Sequence, residues 1–361
     1  MATSEDTGAP GERPDTASDP SSPAGAVTTR AVLLIIGVLT LQLAFVLSYV
    51  GAFHNPVPRD IPIAVAAPEQ QRQQIVGQLE DLPGSPLDPV RGVDDADAAR
   101  DLIERREVDG ALVVGGDGTD TLLVTTAAGG ALAPALERVL GAVARETGRE
   151  LRTEDVVPAD AGDNNGLTPF YLVVGWCVGG YLCAAVMAVS AGAHPSNPPR
   201  AVVRLAVLAI CAVASGIGGM LIVDPVLGAL PGSPIALAAL GALLVFATGA
   251  ATMALQGLVG VVGVGLAIAL VVVLGNPSSG GAYAPPLLPP FWRDIGPFLP
   301  PGAGTSAVRS LVYFDGNAIG GPLLVLILWA VVGVVIAVGA AVLRTTLRAG
   351  APSSRRVRRP S

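Results

Sequence analysis

The sequence predicts a membrane all-α bundle of six transmembrane helices, with a small α/β domain inserted between the first and second spans. Three observations carry that expectation. Six stretches, 31–53, 169–191, 202–223, 235–255, 257–274 and 322–343, are apolar over about the 20 residues a helix needs to bridge a hydrocarbon core, and none contains Asp, Glu, Lys or His. With 51% hydrophobic residues and a mean hydropathy of +0.59, the chain has the composition of a membrane protein. Only residues 54–167 show the patterning of a soluble domain.

Residues 1–29 are rich in Ser, Thr, Pro, Gly and acidic side chains and too poor in large apolar ones to offset the entropy of folding, so they read as a disordered cytoplasmic tail. The first span, 30–53, has an apolar run longer than a signal-peptide core, and Phe53-His54-Asn55-Pro56 is a poor cleavage site. It reads as an uncleaved anchor.

In the insert, 61–66 has the character of a buried strand, and the following segment places Ile75, Val76, Leu79 and Leu82 on one helical face. Residues 89–93 form a candidate second strand. Asp94 or Asp95 is positioned to cap a helix running to 106 that buries Ala98, Leu102 and Ile103. Two further strands, 108–114 and 121–126, are joined by the turn Gly115-Gly116-Asp117-Gly118, and a final amphipathic helix covers 131–147. Seven acidic residues crowd 94–109. Without the D-x-D-x-D-G order of a calcium loop, they read as a solvated helix face.

The second domain, 168–348, holds the remaining five spans. Its long loop 276–321 mixes apolar and aromatic residues with paired prolines, which no continuous helix accommodates and no solvated loop explains. Short re-entrant or interfacial helices are expected there, with Trp292 and Phe298 at headgroup depth. The loop is read either as a packed cap or as part of a substrate exit. Residues 349–361 form an Arg-rich tail.

All 22 basic residues are Arg. Arg30 precedes the first span, Arg200 and Arg204 sit between the second and third, and Arg344, Arg348, Arg355, Arg356, Arg358 and Arg359 follow the sixth, whereas 224–234 has none, so the positive-inside rule places both termini in the cytoplasm and 54–167 outside.

Several functions are excluded. Cys177, Cys183 and Cys211 lie within spans, and no zinc or disulfide spacing exists. His54 and His194 fall on opposite membrane faces and cannot share one centre. Gly115-Gly116-Asp117-Gly118-Thr119 lacks the order and the lysine of a phosphate loop, so no intrinsic ATPase is expected, and no cofactor. No carboxylate pair or H-E-x-x-H supports an intramembrane enzyme. Proton coupling needs a titratable group at depth, where only Gln42, Gln256 and hydroxyls are found. Small residues, among them Gly175 and Gly179, Gly216, Gly218 and Gly219, and Gly257, Gly260, Gly263 and Gly265, permit close helix approach, within one bundle or across a dimer seam.

In its order of a span, an α/β domain, then five spans with a Pro-rich loop before the last, the chain resembles type-2 ABC exporter permeases, the YhgE/Pip-like branch in particular, from Arg30 to Arg348. The local marks are Ile61-Pro62-Ile63-Ala64-Val65, then Asp97-Ala98-Ala99 with Val108-Asp109-Gly110-Ala111-Leu112-Val113-Val114. A third is Pro289-Pro290-Phe291-Trp292 with Leu299-Pro300-Pro301-Gly302-Ala303, leading to Arg309. The resemblance implies a multi-pass permease subunit of a bacterial plasma membrane. It would work as a homodimer or with a similar permease, driven by a separate ATP-binding subunit, and would export a lipid-like, peptide or drug substrate without nucleic acid. Pro289, Pro290, Phe291, Trp292, Phe298, Pro300, Pro301 and Arg309 are then the expected exit loop. His194, Arg200 and Arg204 are the expected ATPase-docking loop. That loop is short, and the acidic tail supplies no obvious coupling helix. The second expectation is therefore a non-transporting structural or secretion-accessory anchor, phage-receptor-like, acting through its outer domain.

Overall fold

The computed structural model of the protein describes residues 28–192 and 197–349; nearly all of the two expected tails, and His194, lie outside these. Five helices are long and apolar enough to cross a membrane: α1 (Thr29–Phe53), α5 (Thr168–Ala191), α6 (Pro198–Leu221, continued through a π-type turn to Val226), α7 (Pro234–Val259) and α11 (Gly320–Ala349). By helix length and composition this is a multi-span membrane protein. The chain divides into a short unit ending at Leu43 and a main body from Ala44 onward, which contains the sheet domain and the four later spans.

The expected span 257–274 is not a separate long helix. Gly257 to Val259 belong to α7, which stops at Gly260 (φ 70°), whose amide donates to Gln256 O at 2.9 Å. The chain turns back so tightly that a Cβ on Gly263 would collide with the Leu255–Gln256 backbone. Beyond the turn lies α8 (Val262–Ile268) with a π-type continuation to Gly275, a 14-residue apolar stretch that rises about 21 Å at most, short of the ~30 Å core. Hydropathy runs on through the reversal because the turn itself is built of Gly and Val.

The sheet domain lies between α1 and the later spans in the chain. Its five strands, β1 (Ile61–Ala66), β2 (Leu87–Val93), β3 (Gly110–Val113), β4 (Thr119–Val124) and β5 (Glu150–Asp155), stand in the order β2-β1-β3-β4-β5. The pairs β1–β2, β1–β3 and β4–β5 are parallel, and β3–β4 is the antiparallel hairpin expected from the glycine turn. Helices α2 (Glu69–Glu80) and α4 (Leu132–Glu146) cover one face and α3 (Ala96–Glu104) the other. Asp95 caps α3 by accepting the Ala98 amide at 2.8 Å. Strand β5 is absent from the sequence expectation. It is a polar edge strand whose sequence, Glu-Leu-Arg-Thr-Glu-Asp, buries none of its side chains fully and so carries no apolar alternation.

In the bundle, α7 is the hub, packed by α5, α6 and α11. Glycine sets the closest crossings: a Cβ on Gly180 would strike the Val245 and Gly249 backbone of α7, and one on Gly216 the Ala238 carbonyl. Gly175 and Gly265 meet nothing within 4 Å, and Gly179 meets only Ser215, so the 175/179 pair does not make the tight contact.

After Gly275 the chain is irregular yet buried through Gly281, a backbone path tolerable in a membrane protein only where protein encloses it. Helices α9 (Pro290–Ile295) and α10 (Pro300–Tyr313) come next, each opened by proline at its first turn. The two are the expected short helices, but they differ: α9 buries no residue, whereas α10 is enclosed from Pro300 to Thr305 and again at Ala307 to Ser310.

Candidate functional site

The sheet domain and the bundle meet at one seam, and two arginines organise it. Arg106 follows the C-cap of α3 in the left-handed region (φ 59°), where its own amide bonds Ile103 O and that of Glu107 bonds Leu102 O, closing the helix end. This geometry aims its guanidinium at α10. Nη1 donates to Ser306 O at 2.9 Å, Ser306 Oγ at 3.3 Å and Ser310 Oγ at 2.6 Å, and the group lies 5.0 Å from the Phe314 ring centroid.

Arg309, on α10, is 3% exposed. Its Nη1 donates to Gly280 O at 2.7 Å and its Nη2 to Gly166 O and Gly281 O, both at 3.2 Å; its Nε has no acceptor. One guanidinium thus ties the irregular segment after α8, the end of the sheet domain and α10. Gly129 (φ 127°) gives it room, since a Cβ there would stand 3.1 Å from Nη2. Beside it, Tyr313 donates its hydroxyl to Asp163 Oδ2 at 2.9 Å, and Asp163 Oδ1 accepts the amide of Thr168, the first residue of α5, at 2.8 Å.

Among the described residues no carboxylate lies within 4.0 Å of Arg106 or Arg309. Burial lowers the Arg106 pKa, opposed by the nearby Asp109 charge; burial raises that of Asp109 to about 6 despite Arg106. Arg106, Asp109 and Arg309 line a cavity of about 640 Å³ together with Ser278, Ser306 and apolar residues of α11.

The expected exit-loop residues separate into four groups. Trp292 packs on α1: its Nε1 donates to Ser48 Oγ at 3.1 Å, and its ring fills the space a Cβ on Gly51 would need. Phe291 packs edge-on against it, 54% exposed. Pro289, Pro290, Pro300 and Pro301 start α9 and α10, the last two buried. Phe298 is 68% exposed, and its carbonyl accepts Trp329 Nε1 at 2.8 Å, which ties the loop to α11. Arg309 lies at the centre of the seam.

At the far end of the bundle, the amide of Arg200 donates to Asn197 Oδ1 at 3.1 Å, capping α6, and Arg204 Nη2 donates to Ala191 O at 2.7 Å, satisfying the last turn of α5. Arg344 does the same for Gly257 O near the end of α7. Arg204 is therefore occupied in finishing a helix, and His194 lies outside the described residues. Arg106 carries no mark in the sequence, because its role rests on a positive φ at a helix end that a non-glycine residue does not advertise. No family model, curated protein or solved structure matches this chain.

Proposed function

We propose that the chain is the membrane-spanning permease subunit of a bacterial exporter of the type-2 ABC kind, with its termini cytoplasmic and its sheet domain outside, powered by a separate ATP-binding subunit. The observation that carries the reading is a bundle whose spans hold no acidic, His or Lys side chain through their middle turns, beneath a capping loop and a domain joined by buried polar links. Such a bundle has no titratable group with which to carry a coupling proton, which supports energy entering from a partner. His194, Arg200 and Arg204 remain the proposed docking region, and the loop from Pro289 to Pro301, with Arg309, the exit.

Affinity capture of the full chain in mild detergent tests this. Recovery of an ATP-binding subunit, weakened by charge reversal at Arg200, is the expected result. Uphill transport by the purified chain alone in a pH gradient would refute it.

A second reading is favoured by one observation: the sheet domain is held to the loop at many points, including Arg293 to Asp60 at 3.0 Å, Asn317 Nδ2 to Glu104 O at 3.1 Å and Arg59 N to Pro286 O at 3.0 Å. A rigid mount of this kind suits an accessory anchor that displays its domain. Capture of secretion components without an ATPase would select that reading.

A further inference from the structure

We propose that the seam binds a monoanionic amphiphile of the phospholipid class, its headgroup beside Arg309 and Arg106 and its chain laid along α11. This goes beyond the exporter reading and needs no ATPase, because the site is built wholly from this chain.

Of the charged groups that line the 640 Å³ cavity, two are guanidinium groups and one is a carboxylate, Asp109, an excess of one positive charge in the lining; Asp163, near Arg309 but outside the lining, is already engaged by the Tyr313 hydroxyl and the Thr168 amide. Arg309 is almost fully buried, has no carboxylate within 4.0 Å among the described residues, and leaves Nε without an acceptor. A charged donor left unpaired in a buried site is costly, and an anionic oxygen at this position removes the cost. Ser278 and Ser306 supply further polar groups on the same wall.

The other end is apolar. Phe298 and Val325 line this cavity and also a second one of about 240 Å³, which continues past Leu328, Trp329 and Val332. Val325, Leu328 and Val332 are three and four residues apart and share one face of α11, with Leu328 52% and Val332 49% exposed. Trp329, which lines the second cavity, donates to Phe298 O and so holds a residue that both cavities share. A charged pocket leading into an apolar groove on a membrane-spanning helix matches a single molecule with one anionic head and one long chain. A soluble anion would leave the groove unused, and a zwitterionic lipid would leave the excess positive charge unmatched.

Native mass spectrometry of the full chain, delipidated and then exposed to equal phosphatidylglycerol and phosphatidylcholine, reads the site. The wild type is expected to retain one phosphatidylglycerol with about fivefold or greater preference, equivalent to about 1 kcal/mol. Arg309→Gln should abolish the preference. Leu328→Trp, which fills the groove from its exposed side and leaves the buried arginines in place, should reduce retention about fivefold. Inorganic phosphate should not displace the lipid. Equal retention of the two lipids, indifference to Leu328→Trp in a folded protein, or displacement by phosphate alone would each overturn the assignment.

Discussion

Arg106 holds a backbone conformation that costs a residue with a Cβ roughly 1 kcal/mol, and its side chain offsets that cost through hydrogen bonds to α10. Two substitutions separate these effects. Arg106→Ala keeps the strain and loses the bonds, whereas Arg106→Gly loses the bonds and relieves the strain. Thermal unfolding in detergent should rank wild type above Gly and Gly above Ala, the last two about 1 kcal/mol apart. A reversed order of Gly and Ala would show that the conformation is not strained. Asp109 adds a pH effect of definite sign. Its pKa is raised from 3.8 to about 6, so the folded state holds the proton more tightly, and stability from this group falls as pH rises between those values. Asp109→Asn should therefore stabilise the protein on the order of 1 kcal/mol at pH 7 and bring no gain below pH 4, measured as the difference between two melting curves.

At the scale of elements, proline and glycine do different work. Proline marks where α5, α6, α7, α9 and α10 begin, and each of these starts is legible in the residue order. Glycine marks where helices touch: Gly180 and Gly216 seat against α7, while the spaced pair Gly175 and Gly179 meets almost nothing within the chain. Gly216→Leu should destabilise the bundle by several kcal/mol through backbone collision, and Gly175→Leu should leave it nearly unchanged. Detergent-resistant fluorescence of a fused reporter and thermal aggregation would distinguish the two. Trp292 belongs to the same scale. Through Ser48 and Gly51 it holds the C-terminal part of α1 against α9, so Trp292→Ala should loosen that helix, read as increased cysteine accessibility at a probe introduced near Tyr49. Combined with Phe298→Ala it should lower export or complementation while the sheet domain stays folded; unchanged activity at normal expression would remove the loop from the transport path.

Over the whole molecule, the sheet domain does not end at its own sequence boundary. Ala284 and Leu287, from the loop more than a hundred residues further on, are buried in the same core as Ile61, Leu79, Leu132 and Leu136. Leu287→Ala should cost about 2–4 kcal/mol of domain stability in the full chain, and the excised segment 57–167, lacking that contribution, should melt lower and bind a hydrophobic dye. An excised domain as stable as the domain in the intact chain would refute a shared core. Long apolar runs, the alternation of strand and helix between them and a capping Asp at 94 or 95 were already plain in the residues, because hydropathy, periodicity and capping act over a few turns of chain. The fold added what depends on distant partners. It showed that one apolar run breaks at a turn of Gly and Val, that a polar segment becomes an edge strand because β4 offers it a ladder, and that Arg106 reaches Ser306, one turn from Arg309, across 200 residues of sequence. None of these could be read locally, since each depends on which backbone groups lie opposite in space, and that is settled only when the chain has packed.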